Sequence, residues 1–166
     1  MEARRGSQVE RVKPTFRDPR LQAEFDDRVF VVGPFVDEPE LDHLRSVFAR
    51  LSPEPGYGSH YTSASDDTPY RVEVFEQVRA VFEAPTAALL DGMRPVVANF
   101  FAKEPGPHTS MVVHQDWTFV DESTCRSVNV WCPLQDATTT NGTLEVLPGS
   151  HRVLNNLRGT ALGQGG

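Results

Sequence analysis

The sequence predicts a mainly β fold with flanking helices, and three observations carry that expectation. Val29–Val32, Val96–Ala102, Met111–His114, Trp117–Val120 and Ser127–Leu134 have the length and the Val, Phe and Trp content of strands. Asp37–Leu51 and Val72–Leu90 carry the apolar spacing of helices that lie against a sheet. Turn-forming pairs, among them Gly33-Pro34, Pro105-Gly106 and Asn141-Gly142, punctuate these runs.

Taken in order, residues 1–26 are charged and weakly periodic, with Pro14 and Pro19 among several arginines, and read as a loosely ordered lead-in. Val29–Val32 then gives a short buried strand stopped by Gly33-Pro34. Asp37 opens a helix, with Glu40 three residues on completing a capping box and Pro39 in the first turn. Leu41, Leu44, Phe48 and Leu51 fall on its inner face, while His43 reads as a solvated residue. Residues 52–69, rich in Pro, Gly, Ser and Asp around Tyr57, His60 and Tyr61, form a long loop, and long loops are more often functional than ordinary connectors. Val72, Phe75, Val78, Val81 and Phe82 return to helical spacing, which Pro85 breaks or restarts. Val96–Ala102 reads as a buried strand, residues 104–107 as a turn, and Met111–His114 as the strand that ends in a metal-binding pattern.

Composition narrows the function. Sixteen basic against 23 acidic residues give a net charge of -7, which argues against a nucleic-acid binder, because phosphate neutralisation needs clustered Lys and Arg. No run reaches the roughly 18 apolar residues that span a bilayer, and no apolar signal region follows the N-terminus, so the expectation is a cytoplasmic protein without a membrane partner. Cys125 and Cys132 match no zinc spacing and read as reduced structural thiols. Small-molecule chemistry is the class that remains.

His114-Gln115-Asp116 is where that chemistry is most legible. A strand turns residues i and i+2 to one face, so an imidazole nitrogen and a carboxylate oxygen can bind one ion side by side. These are two parts of the 2-His-1-carboxylate triad that holds non-haem Fe(II) and leaves positions open for reactants. An isolated His-x-Asp is common on solvated faces, and a buried His–Asp hydrogen bond is the structural alternative.

Downstream, Trp117–Val120, the Ser127–Leu134 run with Asn129 and Trp131, and Asn141-Gly142 leading to Pro148-Gly149-Ser150-His151 follow the pair in order. This set resembles the phytanoyl-CoA dioxygenase family of Fe(II)/2-oxoglutarate oxygenases, closely over roughly residues 95–152. The resemblance implies a double-stranded β-helix (a cupin-like jelly roll) with Fe(II) and 2-oxoglutarate as cofactors. It implies His114 and Asp116 as metal ligands, and Gln115, Trp131, Lys103 and Asn129 at the cosubstrate. A regular strand would point Gln115 away from its neighbours unless a bulge intervenes. Trp131 also reads as a core aromatic, Lys103 as an exposed turn lysine and Asn129 as a surface amide. Related halogenases carry a small residue in place of the carboxylate, so Asp116 points to hydroxylation.

His151 is the one histidine after Asp116, yet in the resembling family the Pro-Gly-Ser-His histidine is not the distal ligand, which comes from a later strand followed by an arginine. Arg152 and Arg158 follow no such strand. The expectation is therefore that residues 27–166 form the N-terminal and central part of an oxygenase domain, incomplete on its C-terminal side and inactive or impaired alone. O₂ and a small organic molecule would be its partners, and an exposed sheet edge could recruit a second copy. The alternative is a non-catalytic jelly-roll remnant that binds a ligand or protein partner.

Overall fold

A computed structural model describes residues 13–51, 58–106, 111–122 and 124–153. Residues 1–12 of the lead-in, 52–57 with Tyr57, Pro107 of the expected turn, and the tail with Arg158 lie outside the described residues.

Helix α1 spans Pro19–Arg28, where a loose lead-in was expected. Asp18 accepts the Arg20 N–H at the N-cap and Pro19 occupies the first turn, so the proline that suggested irregular chain is a helix-start signal. The helix closes on Val29 in the left-handed region, φ 72°.

Helix α2, Glu38–Leu51, begins as its sequence predicts. The Asp37 N–H donates to the Glu40 carboxylate and the Glu40 N–H to the Asp37 carboxylate, both at 2.9 Å, a closed capping box. Leu44 and Val47 are buried, Phe48 and Leu51 pack against them, and His43 is exposed. Helix α3 runs unbroken over Thr68–Leu89, capped by Asp67, and Pro85 does not stop it. Proline removes one N–H from the ladder, but the flanking Val81 and Thr86 are buried, and their packing offsets the loss. Val74, Val78 and Val81 of α3 meet Leu44 and Val47 of α2 around Phe100, which forms the core.

The sheet is a two-stranded antiparallel ribbon: β1 (Ser59–Tyr61) pairs with β2 (Phe101–Lys103), Ser59 opposite Lys103 and Tyr61 opposite Phe101. Tyr61 stacks on Phe101 with centroids 4.6 Å apart. Thr62, almost fully buried, continues the pairing: its N–H donates to the Phe100 carbonyl at 3.1 Å and its hydroxyl accepts the Phe100 N–H at 3.0 Å.

The expected mainly β fold is not seen among the described residues, which hold three α-helices and two three-residue strands. Val29–Val32 is in no strand, and Val32 is 82% exposed. Only the end of the Val96–Ala102 run enters β2, while Met111–His114 and Ser127–Leu134 lie in no strand. Apolar alternation encodes which face a side chain would take, but a strand also needs a neighbour to accept its backbone N–H groups. The predicted turns do form: Gly142 takes φ 90° with the Thr143 N–H bonded to the Thr138 carbonyl, and Gly149 takes φ 71°.

Candidate metal centre

His114 and Asp116 stand in the irregular segment over residues 111–117, with side chains 44% and 57% exposed. The His114 Nδ1 lies 2.8 Å from the Val112 carbonyl oxygen. A carbonyl only accepts, so Nδ1 carries the proton and Nε2 is turned the other way. Nε2 faces Asp116 Oδ1 at 3.1 Å. Two electron-pair donors that close are satisfied either by a second ring proton or by a cation between them. Donors each about 2.1 Å from one ion and roughly 90° apart stand about 3.0 Å from each other. The 3.1 Å separation is compatible with two adjacent positions of a facial triad, and the Nδ1–carbonyl bond fixes the orientation of the His114 ring.

The other oxygen of Asp116 is held as well. Asn129 Nδ2 donates to Oδ2 at 2.6 Å, across 13 residues of chain. Of the four residues expected at the cosubstrate, Asn129 alone is hydrogen-bonded to the pair among the described residues. Gln115 is exposed, Trp131 is 46% exposed, and the Lys103 ammonium rides 5.6 Å over the Phe101 ring beside the Gly142 turn. No group of three or more His, Cys, Asp or Glu that could hold an ion occurs among the described residues.

His151 is accounted for elsewhere. Its Nε2–H donates to the Asp26 carbonyl at 3.1 Å, Arg152 pairs with Asp27 at 2.6 Å, and the Gly149 N–H reaches the Arg28 carbonyl. The Pro-Gly-Ser-His turn thus docks on the C-terminal end of α1, where free carbonyls need donors. Sequence reasoning missed this because it had assigned no helix there.

A cavity of about 480 Å³ opens at the ribbon, lined among others by Leu51, Ser59, His60, Tyr61, Asp67 and Tyr70. Most of these belong to the long loop over residues 52–69. Tyr70 and Thr62 were not foreseen: the Tyr70 hydroxyl bonds His60 Nε2 at 3.0 Å and approaches the Thr62 hydroxyl at 3.4 Å. A polar loop followed by a capped helix was the only available signal. Tyr61 also contacts Met111 Sδ through its hydroxyl at 3.8 Å, three residues before His114. Both cysteines are free; Cys125 is exposed, and burial pushes the Cys132 thiol up.

The chain matches the family described as Phytanoyl-CoA dioxygenase (PhyH) over residues 5–162. Among curated proteins it is similar to Phytanoyl-CoA dioxygenase 1 of Oryza sativa subsp. japonica, 37% identical over 76 residues, 43% of this chain and 27% of that protein. It is also similar to Phytanoyl-CoA dioxygenase of Arabidopsis thaliana, 38% identical over 68 residues, 40% of this chain and 24% of that protein. The chain thus spans about a quarter of the length of the curated relatives it matches. No solved structure matches.

Proposed function

Because this chain belongs to the phytanoyl-CoA dioxygenase family, we propose that it serves an Fe(II)- and 2-oxoglutarate-dependent dioxygenase that hydroxylates a small organic substrate, with His114 and Asp116 as two of the metal ligands. The observation that supports this most is the facing of His114 Nε2 and Asp116 Oδ1 at 3.1 Å while Nδ1 and Oδ2 are each held from behind. Bound Fe(II) with 2-oxoglutarate would supply O₂ activation, coupling oxidation of the substrate to decarboxylation of the cosubstrate to succinate and CO₂.

The chain's own residues would do the rest. The Val112 carbonyl keeps the proton on His114 Nδ1 and leaves Nε2 as the donor, and Asp116 brings the anionic charge. Lys103 offers a cation, and Gln115 and Trp131 a polar and an aromatic surface, to a dicarboxylate cosubstrate. With two ligands among the described residues, the isolated chain is proposed to hold iron and cosubstrate weakly.

A second reading, a non-catalytic domain that binds a ligand or partner, is favoured by the exposure of the pair and by the missing third donor among the described residues. Incubation with Fe(II), 2-oxoglutarate and air, followed by succinate quantification, separates the two. Slow succinate release that vanishes in Asp116→Ala and persists in His151→Ala supports the dioxygenase. Release unchanged in Asp116→Ala moves the centre elsewhere, and no release with no Fe(II) binding favours the second reading.

A further inference from the structure

We propose that Asn129 is a positioning residue for the Asp116 carboxylate, which it keeps turned toward His114, and is not a cosubstrate ligand. The inference rests on the metal reading of the pair. Its basis is the division of labour on Asp116: Oδ1 faces His114 Nε2 at 3.1 Å, while Oδ2 accepts Asn129 Nδ2 at 2.6 Å. A carboxylate rotates softly about its last torsion, so a lone Asp in an exposed segment samples many orientations. A donor on one oxygen removes that freedom and presents the other oxygen in a fixed direction.

The chemistry of the donor suits the task. A carboxylate oxygen only accepts, so the amide must present its NH₂, not its oxygen, to Asp116. A neutral amide grips the anion without bringing a positive charge that would compete with a metal ion. A lysine at the same place would compete, and an aspartate would repel. The contact is also tertiary. Thirteen residues and a turn separate the partners, so the bond ties the metal-binding segment to the Ser127–Leu134 run, whose Trp131 lies two residues on. Asn129 itself is exposed, so core packing does not explain its placement.

The test is titration of the purified full chain with Co(II) under anaerobic conditions, read by visible absorption, beside thermal unfolding of each variant. Asn129→Leu, which keeps the shape and removes the donor, is expected to weaken Co(II) binding by about tenfold to a hundredfold with the melting temperature unchanged. Asn129→Gln, which keeps the amide on an exposed site with room to adjust, is expected to recover part of that loss. Equal affinity in wild type and Asn129→Leu, or a Gln variant as weak as the Leu variant, overturns this inference and leaves the metal reading intact. A Leu variant that loses stability along with affinity overturns it too, because that is the mark of a packing role. Absence of Co(II) binding by the wild type overturns the metal reading and this inference together.

Discussion

Replacing Thr62 by Val should lower the stability of the whole molecule by about 1–3 kcal/mol, although the side chain keeps its shape. Thr62 is 1% exposed, and its hydroxyl is the partner of the Phe100 N–H at 3.0 Å. The other groups around it keep partners in the variant. The Phe100 carbonyl retains the Thr62 N–H at 3.1 Å, and the Tyr70 hydroxyl retains His60 Nε2 at 3.0 Å. One buried donor, the Phe100 amide, is therefore orphaned in the core between α2 and α3. Leaving a buried donor unsatisfied costs roughly 1–3 kcal/mol, and a denaturant slope of about 2 kcal/mol/M converts the middle of that range to roughly 1 M in urea. Equilibrium urea unfolding followed by tryptophan fluorescence reads the midpoint, and hydrogen exchange at Phe100 reads the lost bond. A midpoint within about 0.2 M of wild type, with the Phe100 amide still protected, would refute the reasoning.

Asp37→Ala should cost about 1 kcal/mol, since it opens the capping box of α2 and frees the Glu40 N–H, and thermal unfolding measures it. The thiolate is the reactive form of cysteine, so the raised Cys132 thiol should alkylate more slowly than exposed Cys125 near pH 8 and approach its rate as pH rises. A mass-spectrometric time course with iodoacetamide checks the order, and Cys132 modified first would contradict it.

The parts of the fold that the sequence made legible are those whose signals are local. Asp37 and Glu40 announce their capping box because both partners lie within one turn, and Asn141-Gly142 announces its turn because the backbone there needs φ near 90°. The strands were over-read. Val112 and Val113 are β-branched like strand residues yet are 82% and 80% exposed, because pairing depends on a neighbour that is not written in the run itself. Helix α1 was missed because the charged, weakly periodic lead-in carries little apolar patterning, although Asp18 before Pro19 marks a capped helix start with a first-turn proline. At the site, the i, i+2 spacing did identify two side chains that face each other. It could not reveal that Asn129 would grip Asp116, since a contact across 13 residues has no local signature. Nor could it foresee His151 docked on α1, a helix it had not predicted.

Anaerobic titration of the protein with Fe(II) and saturating 2-oxoglutarate, followed in the visible range, asks directly whether His114 and Asp116 hold the metal. A charge-transfer absorption is expected in the wild type and is expected to be lost in both His114→Ala and Asp116→Ala. No absorption in the wild type, or the same absorption in the doubly substituted chain, would contradict that expectation.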